Sequence, residues 1–164
     1  MPVFTAVVEV EAPVDRTWQV AVDWPGHGRW VPLTSVSLLT PQGTGMGARL
    51  VGRTGIGPVY FDDPMEIVEW RPPTDRVPGR CGLIKQGRVL HGSAVIEVAA
   101  LSADRSRVTW TEDLRLAPER FGRLLEPLIA PLGGRLGRWT FTRALRRMAA
   151  ELAAGPAART GGDG

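Results

Sequence analysis

In RVTWTEDLRL, residues 107–116, alternate positions divide into two faces. Val108, Trp110, Glu112, Leu114 and Leu116 share one, and Arg107, Thr109, Thr111, Asp113 and Arg115 share the other. Glu112 is thus the one charge on an apolar strand face. A buried carboxylate must find a partner, take up a proton or face a wet cavity. With a raised pKa in an apolar pocket it could serve as a general acid or base, or hold a ligand hydroxyl. The structural alternatives are an ion pair with Arg80 or Arg88, or a bulge that turns Glu112 outward.

Three other groups of residues invite the same question. In FDDP, Asp62 and Asp63 are adjacent in a strand, so only one can face inward, and a bulge or turn carboxylate bonded to local backbone explains the pair. Tyr60, the only tyrosine, could orient a ligand through its hydroxyl or be a half-buried strand aromatic. In VDWPGHGRW, residues 22–30, Trp24, His27 and Trp30 recur at three-residue spacing among Pro25, Gly26 and Gly28. A structural plug is expected from the two indoles, with His27 exposed between its glycines; a ligand wall and a metal site are the alternatives. Zinc wants three or four convergent ligands, and the only other histidine, His91, lies far along the chain, so no metal is expected.

Several chemistries are disfavoured. The glycine-rich GTGMG and RTGIGP lack the P-loop lysine and join no strand to a helix. No serine occupies a GxSxG elbow. Cys81 is the single cysteine, which rules out an internal disulfide and reads as a small core hydrophobe. Lys85 is the only lysine of a chain whose net charge is +3. Between Arg115 and Arg147 arginine far outnumbers acid, which reads as a solvated helix face. No nucleic-acid partner is expected, because that face is read as lacking interleaved aromatics and no groove-reading element is foreseen. No apolar run approaches the roughly 20 residues that cross a bilayer, so no stable membrane insertion is expected. MPVFTAVVEVEAP has no basic residue before its apolar run, unlike a signal peptide, and a cytoplasmic protein is expected.

The elements that would position these residues follow from periodicity. Residues 3–11 alternate as a strand, and Pro13 opens a helix whose stripe is Val14, Trp18, Ala21 and Val22. TSVSLLT and ARLVGRT flank a glycine turn as a hairpin; VYFDDPMEIVEW, RCGLIKQG, HGSAVIEVAAL and RVTWTEDLRL complete the strands. Pro64 marks an edge or a bulge, and the apolar phase slips there from Met65 and Ile67 to Val68 and Trp70. From Pro118 the period becomes helical. Pro127, Pro131, Gly133 and Gly134 predict a short irregular helix to about Leu132 and a straight one to about Ala153, with Leu136, Trp139, Leu145, Met148 and Leu152 on its inward stripe. The fold class is α+β: a curved antiparallel sheet of about seven strands on a long C-terminal helix, with two short helices after the first strand. Residues 1–154 form one domain and 155–164 a flexible tail.

This order, together with VEAPVDRTWQVAVDW, HGRWVPLT, GTGMGARLVGRTGIGP, FDDPMEIVEWRPP and SRVTWTEDLRL, resembles the helix-grip fold of the START-like superfamily, in its bacterial polyketide cyclase/dehydrase-like branch. The likeness covers residues 1–153 and brings no universal catalytic motif with it. It implies a small hydrophobic ligand, polyketide-, lipid- or isoprenoid-like, held between sheet and terminal helix. Leu83, Ile96, Val98, Trp110, Leu128, Leu132 and Trp139 would supply the wall, and Glu112 and Tyr60 the polar anchors. No cofactor is expected, and a monomer or homodimer is. The first alternative is a cyclase or dehydratase with Glu112 as proton shuttle. The second is a ligand-free interaction module using the basic helix.

Overall fold

A computed structural model describes residues 3–88, 90–116 and 119–154, with side chains of 3–88, 90–115 and 134–154. The tail expected at 155–164 and the side chains of Leu128 and Leu132, expected in the ligand wall, lie outside these residues.

The chain runs β1 (Val3–Val10), α1 (Val14–Ala21), a 3₁₀ helix (Trp24–Arg29), β2 (Thr34–Leu38), β3 (Arg49–Ile56), β4 (Val59–Arg71), β5 (Gly79–Gln86), β6 (Leu90–Ala100), β7 (Ser106–Leu116) and α2 (Glu119–Ala153). One seven-stranded antiparallel sheet results, in the order β1-β7-β6-β5-β4-β3-β2. The first strand pairs with the last, so β2 and β1 form the two edges. α2 packs mainly over β1 and β7, and α1 over β6 and β7. The concave face between them is the core, built by alternate strand residues such as Ala6, Val10, Ile67, Leu83, Ile96, Val98 and Val108.

The helix α1 buries the stripe expected of it: Val14, Trp18, Ala21 and Val22. Trp18 lies 5.2 Å from the Trp70 ring, and the buried Ser106 hydroxyl donates to Thr17 Oγ1 at 2.8 Å. The outer face carries cross-strand ion pairs: Arg53 with Asp62, Arg80 with Glu69 and Glu97, and Arg105 and Arg107 with Glu9. Such exposed pairs contribute about 0–1 kcal/mol each.

The phase slip in β4 has a defined position. The β4–β5 register shifts between Ile67 and Glu69, so Val68 is the extra, outward residue, while Ile67 and Trp70 both turn inward. The slip therefore falls after Pro64, not at it. Pairing with β5 begins only at Met65, so at Pro64 the ladder with β3 is the only one among the described residues. That locally edge-like position tolerates a residue without an N–H.

In α2 the expected break is absent: Glu119–Ala153 is one 35-residue helix. Each internal proline removes a donor at about 3 kcal/mol, and the apolar periodicity continues on both sides of them, so the backbone stays helical through the segment. The inward face also differs from expectation. Ala144, Leu145, Met148 and Leu152 are buried, and Phe141 packs 5.3 Å from both Phe4 and Trp110, but Leu136 and Trp139 are each 61% exposed. The stripe runs back through Gly137, where a Cβ would come 2.6 Å from Phe4 Cε1. A glycine is invisible to a count of apolar residues, and Trp139, two positions on, points away. The outer face of the helix therefore carries a tryptophan, with the Arg143 guanidinium 5.8 Å from its ring, and is not free of aromatics. Trp139→Ala is accordingly expected to change stability by no more than about 0.5 kcal/mol. Chemical denaturation would measure it, and a loss of several kcal/mol would put Trp139 in the core. Among the described residues no helix is long and apolar enough to cross a membrane.

Candidate functional site

Three charged side chains meet beneath the concave face. Asp63 comes from β4, Lys85 from β5 and Glu112 from β7, each less than one-tenth exposed. The Lys85 ammonium donates to Asp63 Oδ2 at 2.7 Å, and its Nζ stands 3.7 Å from Glu112 Oε1. The Trp110 Nε1–H donates to the same Glu112 oxygen at 3.0 Å. Asp63 Oδ1 is buried with no hydrogen-bond partner among the described residues.

Local strand geometry explains the meeting. Trp110 and Glu112 are two apart and so share a face of β7. Cys81, Leu83 and Lys85 share the inward face of β5, which ends in the lysine. Between β5 and β7 lies β6, where Ala94 stands opposite both Leu83 and Glu112 and Gly92 opposite both Lys85 and Leu114. These small residues leave room for the lysine and glutamate to reach each other across the strand.

The trio lines one part of a cavity of about 100 Å³, partly open to solvent. Val36, Leu50, Met65, Leu83, Trp110 and Phe141 give it apolar walls. Thr34 and Thr54, hydrogen-bonded to each other at 2.9 Å, add a second polar point. Trp24 and His27 also reach it.

Electrostatics follow from this burial. Burial pushes the Glu112 pKa up; the Lys85 charge and the Trp110 hydrogen bond pull against it, the Asp63 charge adds to the rise, and the net direction is upward. Burial alone would lower the Lys85 pKa, but the Glu112 and Asp63 carboxylates more than offset it, so the ammonium stays ionised. Burial raises the Cys81 thiol to about 12, which leaves it no nucleophilic thiolate near neutrality.

His27 is buried, not exposed as its flanking glycines suggested. The 3₁₀ turn packs its ring 5.1 Å from Trp24, 4.3 Å from Trp30 and 5.6 Å from Trp110. Its Nε2 is 2.9 Å from the Ala21 carbonyl, which can only accept, so Nε2 carries the proton. Trp24 Nε1 donates to the Gly43 carbonyl at 2.6 Å, and both indoles are buried, as a plug would be. Burial lowers the His27 pKa from 6.5 to about 4, with the Ala21 hydrogen bond acting against it. A depressed folded pKa means stability present above 6.5 and lost as pH falls towards 4, amounting to about 3 kcal/mol. The stability difference between the wild type and His27→Gln should therefore shrink by that amount between pH 7 and pH 4. A difference independent of pH would contradict the burial.

The other sequence candidates separate. Leu83 and Trp110 line the cavity. Ile96 and Val98 are fully buried in the core and are not among its described lining residues. Tyr60 is half exposed, with the Arg53 guanidinium 4.2 Å above its ring, and sits outside the cavity because it shares the outer face of β4 with Asp62. Trp139 is likewise outside. Arg80, offered as a partner for Glu112, pairs instead with Glu69 and Glu97. Of the two FDDP carboxylates it is Asp63 that faces inward, and it bonds Lys85 and not local backbone, while Asp62 pairs with Arg53; Lys85 stood outside the sequence candidates, though it follows Cys81 and Leu83 at period two.

A curled seven-stranded antiparallel sheet with a long C-terminal helix packed against it is the helix-grip fold. The chain belongs to the polyketide cyclase/dehydrase and lipid transport family, whose sequence profile matches residues 1–153. Among solved structures it is similar to a protein of Thermus thermophilus, at TM-score 0.70 and 18% identity over 95% of this chain and 100% of that one. It is also similar to the Zhui aromatase/cyclase of a Streptomyces species, at TM-score 0.64 and 19% identity over 94% and 98%. A START superfamily protein of Mycobacterium smegmatis aligns at TM-score 0.64 and 16% identity over 92% and 98%. Among curated proteins none matches the sequence significantly.

Proposed function

We propose that the protein binds a small hydrophobic molecule between the sheet and α2, with the ligand's polar group at Lys85, Asp63 and Glu112. The observation that carries this reading is the buried charged trio at the margin of an apolar cavity. Buried ionic groups of this kind are often no more stabilising than apolar packing, so stability alone does not account for them. A volume of about 100 Å³ is smaller than the roughly 150 Å³ that encloses a benzene ring, so it suits the leading part of a longer chain or a ring that extends into the opening. Family membership supports the same class of ligand. Native mass spectrometry of protein purified from its own host tests the reading: a stoichiometric apolar adduct, lost on mild activation, is expected. Absence of any adduct, together with failure to bind added single-ring compounds, would refute it.

Catalysis by proton transfer, as in a cyclase or dehydratase, is favoured by one observation: a carboxyl with a raised pKa next to a cation and a second carboxylate. Glu112→Gln separates the two readings: if Glu112 only anchors the ligand, the variant binds more weakly, whereas if it shuttles a proton, the variant still binds and the turnover of the wild type stops. It should also fold. Lys85 keeps Asp63, so at pH 7 the change is expected to be neutral or stabilising by about 1 kcal/mol. The sign follows from the raised folded pKa, whose stabilising contribution is full below 4.5 and is lost as pH rises through it. Denaturation at pH 5 and pH 8 would show the variant gaining on the wild type as pH increases. A loss of several kcal/mol would mean that Lys85 depends on Glu112.

A further inference from the structure

The charges lining the cavity balance only while Glu112 keeps its proton, as its burial favours. Among its described lining residues are two carboxylates, Asp63 and Glu112, one ammonium, Lys85, and the neutral His27. The ammonium donates to Asp63 Oδ2 and leaves Asp63 Oδ1 buried without a donor among the described residues. A buried acceptor left unmatched is unfavourable, and more so when it is charged. Glu112 Oε1 already accepts from Trp110, with Lys85 at 3.7 Å.

We propose that the cavity selects a ligand bearing an amine: an ammonium on a small apolar body that donates to Asp63 Oδ1 and balances Glu112. The proposal rests on the binding function above and names the class of ligand. An ammonium supplies both the missing donor and a second positive charge, so Glu112 can give up its proton when the ligand binds. A neutral apolar molecule supplies neither. A carboxylate ligand would place a third anion against one lysine that is already engaged, which a low-dielectric site penalises.

The test uses the full chain at pH 7 with three single-ring probes of similar size: benzylamine, toluene and benzoate. Ligand-observed NMR and calorimetry would read their affinities. Benzylamine is expected to bind at least about tenfold more tightly than toluene, in keeping with the added strength of charge-assisted hydrogen bonds, and benzoate more weakly than toluene. In Asp63→Asn the advantage of benzylamine over toluene should disappear. If that variant does not fold, Glu112→Gln should show a reduced advantage. Toluene or benzoate binding as tightly as benzylamine would overturn the amine preference while leaving the binding function standing. Failure of all three to bind at millimolar concentration would remove the binding function itself.

Discussion

Lys85→Met is expected to destabilise the fold by about 3–5 kcal/mol at neutral pH, because it strands two buried carboxylates without their cation. The methionine fills much of the same volume, so the effect is electrostatic and not a cavity. Lys85 is 9% exposed, and Asp63 and Glu112 less. Its pH dependence carries a definite sign. Glu112 already has a raised pKa through burial, and loss of Lys85 removes the charge that holds it down. The variant's deficit should therefore grow as pH rises above the ordinary carboxylate range and shrink below it. Adding Asp63→Asn to Lys85→Met should recover part of the loss. Urea denaturation at pH 4 and pH 8 measures all of this, and a deficit under about 1 kcal/mol at both would mean that the trio is solvated.

Trp110→Ala should cost a similar amount, about 3–5 kcal/mol. This indole joins the core to the site: its ring contacts His27 at 5.6 Å, Trp30 at 6.2 Å and Phe141 at 5.3 Å. Its Nε1–H is the donor on Glu112. The two roles can be divided. Trp110→Phe keeps part of the packing and removes the donor, so it should cost about 1–3 kcal/mol, as expected for a hydrogen bond to a charged or partly charged buried group. It should also raise the Glu112 pKa, since that hydrogen bond acts to lower it. Equal losses in the two variants would assign the whole effect to the hydrogen bond, and no loss in the phenylalanine variant would assign it to packing.

Strand periodicity made Glu112 legible, because a single charge in a two-residue repeat of apolar side chains marks its own face. The same repeat runs through Cys81, Leu83 and Lys85, but a lysine at a strand end is ordinarily read as reaching solvent. What turns it inward is Asp63, and the choice between Asp62 and Asp63 depends on the phase of β4. That phase is set by the bulge at Val68 and by pairing with Arg53 on the outer face, both long-range facts. Tyr60 was misplaced for the same reason. In α2 the helical period was clear, but its rotation was not. Gly137 marks the closest approach to Phe4, and a residue without a side chain leaves no apolar signal. His27 was misread because flanking glycines suggest an exposed loop. Here they serve the 3₁₀ turn, which tucks the imidazole among three indoles. The order of the elements was legible throughout, since breakers and changes of period are local properties of the chain.

Small molecules are expected to enter the cavity beside Trp110 and the charged trio. Indole N–H resonances of the six tryptophans, assigned by single phenylalanine substitutions, test it most directly during titration with benzyl alcohol. The Trp110 signal should move saturably, because its Nε1–H points at Glu112 in the cavity, while that of the exposed Trp139 stays still. A Trp110 signal that does not move at saturating probe, or a shift confined to Trp139, would contradict the account.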